Sequence, residues 1–505
     1  MGTLSLTTMM DTVKKIDRAR TKEKNASSAT VVRNGIFCDC RFRVINLRCG
    51  AGIGEACTSR NVEAAMRKFI SISVMLGMLA SVGWAQNSPD ASLLEEINKI
   101  KAVDNHTHIP KVVSAGEKDD DYDALPCYLL EPSPDPLMAR VENPLYLQAW
   151  QKLYGYKYSD RDPAHIRELI ETKQRVAGEQ GDNYPNWVLD KLGIEYMLAN
   201  RVAMGRGLNP PRFLWVPFDD ALLFPLKNQA MEDTPDRQAF YQREEMLLKR
   251  YMRDQNVAAM PAILDNYVEK IITPTLERQK KAGAVAIKFE AAYLRSLNFG
   301  NSQEDEARPI FARYVKGGTP SKAEYTKVQD YLLHAIAQEA GKLGLAVHFH
   351  TGTGCGSYFD IAGSNPSMLD SLLNDASLRK TNFVLVHGGA GPYTKVAAVL
   401  MGKPNVYADF SEQDSLISTR VLSGVIRDWL EWYPEKILFG TDLSPGSAES
   451  DWEESGFVAA TRGREALALA LSGMVNDGEI TRERAVELAR MVLRENAVKL
   501  YGLGK

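Results

Sequence analysis

Five of the seven histidines in this 505-residue chain lie at the carboxyl ends of predicted strands. They are His106, His108, His348, His350 and His387, and the other two are His165 and His334. Residues two apart in a strand point to the same face, so His106 and His108 can project together from the end of one strand. Chance would scatter seven histidines along the chain. Their placement predicts one site that several strand ends share.

Histidines gathered in this way favour a metal site, because imidazole is the commonest metal ligand in proteins. A single strand histidine is more often a hydrogen-bonded core side chain, but the HTH of residues 106–108 is accompanied by histidines at the ends of two later strands. His348 and His350 share a face, and His350 is the predicted ligand because it lies nearer the strand end. Asp442, at the end of LFGTD, adds a carboxylate that could accept a proton from a metal-activated water.

Strands and helices alternate from residue 101 onward, which predicts parallel strands joined by helices. The predicted strands are 101–108, 194–202, 212–218, 284–290, 345–350, 383–387, 405–410 and 436–442. Eight such units favour an α/β fold, a closed (β/α)₈ TIM barrel. In that fold the carboxyl ends of all strands meet at one face, where barrel enzymes place their active sites.

Two connections are too long for ordinary loops of a barrel. Residues 111–190 carry helical patterning and many Tyr, Pro and Asp residues, and we interpret them as a helical insertion over the mouth after the first strand. Residues 220–275 form a second, largely helical excursion. Residues 480–503 are patterned as an amphipathic helix that closes the far side of the barrel.

The overall composition is that of a globular protein, with 45% hydrophobic and 25% charged residues. A net charge of -3 argues against a protein that grips nucleic acid. The expected partner is a small-molecule substrate, and assembly into a homo-oligomer stays open. Cys127 and Cys355 are the only cysteines after residue 57, so we expect no disulfide framework, and Cys355 is interpreted as lining the mouth.

Residues 1–85 differ in sequence pattern from the rest of the chain. Residues 1–65 show no sustained period and are interpreted as an unstructured or wrongly assigned extension. Residues 66–85 read as a secretory signal that starts at Met66, with a basic start, an apolar run and small residues at the cleavage positions. An uncleaved anchor or a buried helix is the alternative, although the apolar run is shorter than a bilayer span. The prediction is a periplasmic or secreted protein without a membrane span in its mature part.

Several motifs in their order along the chain resemble the metal-dependent amidohydrolase superfamily. They are HTH at 106–108, KFEAAY at 288–293, HFHTGTG at 348–354, VHGGAGPY at 386–393, VYADFS at 406–411, FGTDLSP at 439–445 and the closing ENAVKLYGL. Within the superfamily the chain is most similar to the amidohydrolase 2 branch, which also includes aminocarboxymuconate-semialdehyde decarboxylase-like enzymes and the amidohydrolase part of glutamine-synthetase-like proteins. The resemblance implies that residues 86–505 form one hydrolase barrel with insertions.

The resemblance also implies roles for particular residues. His106, His108, His350 and Asp442 would be metal ligands, and Asp442 would also move the proton. His387 would bind a second metal or touch the substrate, so that Asp442 and His387 are the catalytic pair. Lys288 would either bridge two metals as a carboxylated lysine, or contact an anionic substrate or Glu290, and we favour the latter. His348 is a further candidate for metal or substrate binding.

Three functions remain open. A divalent ion, with zinc the first expectation and one or two ions per site, would bring the pKa of bound water toward about 7 for attack on an amide, lactone or related bond. The same ligands could serve a non-oxidative decarboxylase. A secreted, non-catalytic metal-binding or solute-binding barrel is the third possibility, and the Cys-free ligand set spread from residue 106 to residue 442 argues against it.

Overall fold

The computed structural model of the chain describes residues 88–114 and 116–504. The predicted extension at 1–65 and the predicted signal at 66–85 lie outside this part. The described chain contains eight parallel strands that coincide with the eight predicted ones. They are β1 Ala102–Thr107, β2 Ile194–Asn200, β3 Phe213–Val216, β4 Ala286–Phe289, β5 Ala346–His350, β6 Phe383–Val386, β7 Val406–Asp409 and β8 Ile437–Leu438.

The strands close into a barrel through hydrogen bonds between neighbours in chain order. The order β1-β2-β3 and the order β4-β5-β6-β7-β8 are continuous ladders. Parallel bridges at Trp215–Ala284 and Phe218–Lys288 connect the two ladders. The Asn105 amide donates to the Phe439 carbonyl at 2.9 Å, which joins the last strand to the first. The structure therefore confirms the (β/α)₈ barrel.

Helices surround the barrel and fill its long connections. They are α1 Ala91–Asn98, α2 Pro144–Tyr154, α3 Pro163–Gln180, α4 Tyr184–Leu192, α5 Pro235–Asp254, α6 Leu264–Tyr267, α7 Thr273–Lys281, α8 Ala291–Leu294, α9 Glu304–Tyr314, α10 Lys322–Leu343, α11 Asp370–Leu373, α12 Thr394–Leu400, α13 Gln413–Leu416, α14 Thr419–Trp432, α15 Trp452–Asn476, α16 Arg482–Arg490 and α17 Asn496–Tyr501. Single π-turns at Val268–Ile272 and Met491–Glu495 connect α6 with α7 and α16 with α17. None of the helices within the described ranges is both long and apolar enough to cross a membrane.

The segment between β1 and β2 is the helical insertion expected after the first strand. Its first part, from residue 108 to residue 143, is largely irregular, and its second part carries α2, α3 and α4. The connection from β3 to β4 is mostly helical and includes α5. The irregular part lies at the carboxyl ends of the strands, because Tyr122, Asp123 and Leu125 line a cavity together with the strand-end histidines.

Helix α10 shows how local sequence fixes the position at which the next strand begins. Ser321 caps the helix start, and Glu324 reaches back to the Ser321 amide to complete a capping box. The helix ends at Gly344, whose φ of +66° lies in the left-handed region. Glycine adopts this region easily because it has no Cβ. The chain then enters β5 within two residues, so His348 and His350 arrive at fixed heights inside the barrel.

The carboxyl-terminal helix closes the amino-terminal end of the barrel. Val103, Leu198, Val216 and Ala286 pack as one inner layer, and Ala497 of α17 belongs to the same buried cluster. Tyr501, also on α17, donates from its hydroxyl to Asn105 Oδ1 at 2.5 Å. The predicted helix over residues 480–503 thus corresponds to α16, the π-turn and α17.

One disulfide crosses the mouth of the barrel, although the sequence indicated no disulfide framework and did not predict this pair. Cys127 lies in the irregular part of the insertion, and Cys355 lies in the loop after β5. They are 228 residues apart in sequence. Because that separation carries no pairing information, two lone cysteines could not be matched from sequence. Cys355 lines the mouth as predicted.

Candidate metal centre and active site

Three side chains from β1 and the loop after β8 converge at the carboxyl end of the barrel. The ligand atoms of His106, His108 and Asp442 lie within 4.8 Å of one another. Asp442 Oδ1 is 3.1 Å from His106 Nε2 and 3.6 Å from His108 Nε2. Donors bound at about 2.1 Å to one ion lie roughly 3–4 Å apart, so two imidazoles and a carboxylate at these distances fit a divalent ion.

The backbone brings β1 and Asp442 together directly. The Asp442 amide donates to the His106 carbonyl at 2.9 Å, and the His108 amide donates to the Leu443 carbonyl at 2.8 Å. The β1–β2 register shifts between Asp104 and Thr107. Adjacent residues of a regular strand point to opposite faces. At this irregularity the adjacent residues Asn105 and His106 both point into the barrel, where Asn105 contacts Asp409 and His106 contacts Lys288.

Burial keeps the histidines neutral, which is the form that binds metal. His106 is fully buried, and burial followed by the charge of Lys288 lowers its pKa well below the ordinary value. Burial also lowers the pKa of His350 and of His387 well below the ordinary value. A neutral imidazole has one nitrogen with a free lone pair. Each ring therefore offers one acceptor or ligand atom near neutral pH.

Asn200, at the end of β2, fixes the His106 ring and was missed in the sequence. Its Nδ2 lies 2.7 Å from His106 Nδ1 and also donates to the Thr107 carbonyl at 3.1 Å. A neutral His106 that ligates through Nε2 carries its hydrogen on Nδ1, which then needs an acceptor. Ligation therefore requires the Asn200 amide to present Oδ1, which has no hydrogen-bond partner in the described chain, to that nitrogen. The available signal was its position, because Asn200 ends a strand beside the HTH strand.

Lys288 lies inside the barrel beside the first ligand. Its Nζ is 3.4 Å from His106 Nε2 and 3.8 Å from Glu290 Oε1, and its side chain is fully buried. The contact with Glu290 matches one of the two alternatives weighed from sequence. The choice between that pairing and carboxylation stays a prediction.

His387 sits at the sharp turn after β6, with φ +63°. Ser411 donates its hydroxyl hydrogen to Asp409 at 2.5 Å, so the same oxygen accepts from His387 Nδ1 at 2.9 Å. Nδ1 then carries the ring hydrogen, and Nε2 keeps the lone pair. His387 lines the cavity with this proton-accepting atom available.

His350 and His348 are placed differently from the three converging ligands. His350 Nε2 lies 2.7 Å from the Thr353 carbonyl, which can only accept, so the free lone pair of the ring is on Nδ1. Its ring centroid is 4.7 Å from that of His387. His348 lies deeper, with Nε2 2.8 Å from the Tyr501 hydroxyl. A ligand role for His350 stays a prediction and would use Nδ1.

Asp442 combines an unusual backbone with an unusual acidity. Its φ is +55°, which is rare for a residue with a side chain. Burial raises its pKa to about 6, while the neighbouring His108 opposes that rise. A carboxyl group with a pKa near 6 can both take up and release a proton near neutral pH. Asp442 thus has the acidity and the position of a proton-transfer group.

A cavity of about 430 Å³ opens directly above these side chains. Four carboxylates line it, namely Asp123, Glu290, Glu412 and Asp442. The outer wall carries Tyr122, Tyr128, Tyr293 and the Cys127–Cys355 pair. Tyr293 ends the KFEAAY motif of residues 288–293, whereas Asp123 and Glu412 were missed in the sequence. Glu412 follows β7 closely and could have been found from that position, while Asp123 lies in irregular chain without a periodic signal.

Several other histidine and arginine side chains make contacts away from the metal ligands. Arg295 pairs with Asp330 at 2.8 Å. His334 lies 2.9 Å from Asp375, and His165 stacks on Tyr158 with ring centroids 3.5 Å apart. Tyr358 is half exposed. Both histidines outside the strand ends are therefore engaged away from the cavity.

Solved structures with the same fold confirm the barrel class. A glucuronate isomerase of Caulobacter crescentus superposes with a TM-score of 0.55 at 14% identity, over 82% of this chain and 94% of that one. A uronate isomerase of Thermotoga maritima gives a TM-score of 0.54 at 14% identity, over 81% and 96%. A Lactobacillus casei protein assigned as a metal-dependent hydrolase gives 0.50 at 17% identity, over 82% and 98%. At these identities the likeness concerns the fold.

Residues 252–503 match the amidohydrolase family. The matched part carries Lys288, His350, His387 and Asp442. Among curated proteins, Protein fluG of Emericella nidulans is 31% identical over 161 residues, which is 32% of this chain and 18% of that protein. The chain thus spans less than a fifth of that relative. The family match supports a metal-dependent, hydrolase-type function in general terms.

Proposed function

We propose that this protein hydrolyses an amide, lactone or related C–N or C–O bond of a small molecule, using a divalent ion held by His106, His108 and Asp442. The convergence of these three ligands on a cavity that His387 also lines carries the proposal. Zinc suits two imidazoles and a carboxylate, and His350 Nδ1 is the nearest further nitrogen candidate from β5. Such an ion, when bound, polarises a carbonyl group and acidifies water.

The chain's own residues would supply proton transfer and orientation. Asp442 takes up the proton released when water attacks and passes it to the leaving group. His387 accepts a hydrogen at Nε2, because Ser411 holds the other nitrogen in its protonated form. Asn200 holds the His106 ring so that Nε2 faces Asp442. Together these contacts pre-organise the groups before substrate arrives.

Reaction products can test the proposal against decarboxylation, which uses the same ligands. The full chain, loaded with zinc, manganese, iron or cobalt, would be incubated with amides, lactones and aromatic carboxylic acids. Hydrolysis products are expected from the amides or lactones, without release of CO₂. Release of CO₂ alone would reject the hydrolase. Bound metal with no turnover of any class would favour the non-catalytic barrel.

We also propose export of the mature protein to an oxidising compartment. The signal-like residues 66–85 support this, and so does the Cys127–Cys355 disulfide, because structural disulfides are rare where thiols are kept reduced. Peptide mapping of the native protein should find an amino terminus close to residue 86. Abundant peptides from residues 1–60 would contradict cleavage.

A further inference from the structure

The cavity above the metal ligands has an unbalanced charge. Asp123, Glu290, Glu412 and Asp442 line it, and no Lys or Arg is present among the described residues that do so. The nearest cation is Lys288, which is fully buried behind His106. Asp442 is one of the proposed ligands of the ion, and burial and the charge of Asp442 raise the pKa of Glu412 to about 8. Asp123 and Glu290 are the remaining two acidic side chains, and both face the space that substrate enters.

Two of the acidic side chains lie close together on one wall of the cavity. Ligand atoms of His108, Asp123 and Glu290 lie within 4.8 Å of one another. Asp123 Oδ2 is 3.3 Å from His108 Nδ1. Glu290 is only 3% exposed, and its Oε2 has no hydrogen-bond partner among the described residues. A buried carboxylate oxygen without a partner is unfavourable, so this wall is complementary to a ligand that donates hydrogen bonds.

A second metal ion fits this wall less well than an organic cation does. His108 has one free lone pair when neutral, and a metal bound at Nε2 uses it. Nδ1 then carries a hydrogen and donates to Asp123, as in many sites where a carboxylate orients a ligating histidine. That leaves only the carboxylates of Asp123 and Glu290 for a second ion. An ammonium group needs only acceptors, and two carboxylates supply them.

We propose that the substrate carries a protonated amino group, which binds between Asp123 and Glu290 while the bond to be cleaved lies at the metal ligands. This inference rests on the proposed hydrolase function and adds the substrate class, short aminoacyl amides or lactones. The spacer is short because the His108 ring belongs both to this wall and to the metal ligands. One to three carbons separate the amine from the carbonyl. A substrate with a carboxylate at the same place would meet only like charges.

Hydroxamates test the substrate class without requiring turnover. The hydroxamate head chelates a divalent ion in every compound, and only the far end differs. The metal-loaded full chain would be titrated by calorimetry with 3-aminopropanohydroxamate, butanohydroxamate and succinic monohydroxamate, which end in ammonium, methyl and carboxylate groups. We expect the ammonium compound to bind at least about tenfold more tightly than the methyl compound, with the carboxylate compound weakest. Equal affinities, or tightest binding of the carboxylate compound, would overturn the proposal.

Glu290→Gln locates the binding group. The substitution keeps the shape of the side chain and removes its charge, so the ammonium compound should lose about tenfold in affinity while the methyl compound binds as before. Glu479→Gln is the matched control, because Glu479 is exposed and pairs with Arg427 far from the cavity. Equal loss for both compounds would show a general disturbance of the site and would reject a specific role for Glu290.

Metal stoichiometry separates the remaining outcomes. One ion per wild-type chain is expected, with no change in Glu290→Gln. Two ions in the wild-type chain and one in the variant would assign the wall to a metal and overturn the proposal. If no hydroxamate binds and no metal is retained, the proposed function itself fails. If hydroxamates bind but show no preference for the ammonium end, only the substrate class fails.

Discussion

The metal centre has an inner side, made of strands and the closing helix, and an outer side that faces the cavity. The two sides differ in the hydrogen bonds that their polar groups make. On the inner side a continuous network runs from His348 through Tyr501 and Asn105 to Asp409 and then to the His387 amide. On the outer side, Glu290 Oε2 has no hydrogen-bond partner in the described chain. The inner network fixes the geometry of the site, whereas the outer wall is built to receive a partner from outside.

The two sides also come from different kinds of chain. The inner side is made of strands and the closing helix, whose positions follow from the barrel itself. The outer side comes largely from the insertion after β1 and the loops after strands, which are held together by Cys127–Cys355. Barrels with shared ligands can therefore differ in substrate through the outer side alone. Substitutions on the inner side should therefore reduce catalysis or stability, whereas substitutions on the outer side should weaken substrate binding.

The largest effect is expected at the ligands that both sides share. His106→Ala or Asp442→Asn should lower kcat/KM by about 10²–10⁴-fold, since the site loses a metal ligand and, in Asp442→Asn, the proton-transfer group. Metal content, measured by elemental analysis, should fall in parallel. His165→Ala is the control because His165 stacks on Tyr158 away from the cavity. Unchanged rates in either ligand variant would reject the site.

The second effect concerns pH and the outer carboxylate Glu412. Burial and the charge of Asp442 raise its pKa to about 8 from 4.5, so the folded metal-free protein holds this proton where the unfolded chain has lost it. Stability should fall as pH rises from about 4.5 to 8. Glu412→Gln should remove that loss, which is at most about 5 kcal/mol.

Urea unfolding of chelator-treated protein at pH 5 and pH 8 measures this difference. The gap between Glu412→Gln and the wild type should widen toward pH 8, with Glu412→Gln the more stable protein. Glu479→Gln controls for the loss of an exposed carboxylate. A constant gap at both pH values would show that Glu412 titrates in the folded protein as it does in the unfolded chain.

The third effect tests whether the outer side depends on its disulfide. The double substitution Cys127→Ser and Cys355→Ser should lower the free energy of unfolding by about 2–4 kcal/mol, because the unfolded chain gains freedom. KM should rise several-fold while metal content stays the same, since the ligands lie on the inner scaffold. Wild-type protein treated with a reductant should behave like the double variant. An unchanged KM would show that the mouth keeps its shape without the bond.

The smallest effect belongs to the inner network. Tyr501→Phe removes the hydroxyl that contacts Asn105 and His348, and should lower the free energy of unfolding by about 1–3 kcal/mol. KM for substrate should hardly change, because the cavity wall is untouched. Tyr158→Phe is a suitable control, since its exposed hydroxyl contacts only Glu168. A rise in KM without loss of stability would place Tyr501 on the recognition side.

The fold and the inner site could be predicted because they follow from local periodicity and from strand ends. Eight strands were found from their apolar runs, and His106, His108 and Asp442 were grouped because all follow strands. Strand order along the chain is also neighbour order in the barrel. For that reason residues more than 300 positions apart in sequence could be placed in one centre.

The outer site could not be predicted in the same way. Asp123 and Cys127 lie in irregular chain, where no period relates sequence position to spatial position. Their neighbours Glu290 and Cys355 are more than 160 residues away in sequence. The tautomer of His387 was equally hidden, because it depends on Ser411, whose hydroxyl is directed by Asp409. Such contacts become visible only in three dimensions.

The left-handed backbone of the site has a consequence for engineering this protein. His387, Glu412 and Asp442 have φ values of +63°, +66° and +55°, a region where a side chain costs on the order of 1 kcal/mol or more. Glycine at these positions would relieve that strain. A library selected for thermal resistance alone would therefore enrich glycine at the residues that handle protons. Selection for heat tolerance would have to be paired with selection for turnover, because at these three positions the two demands oppose each other.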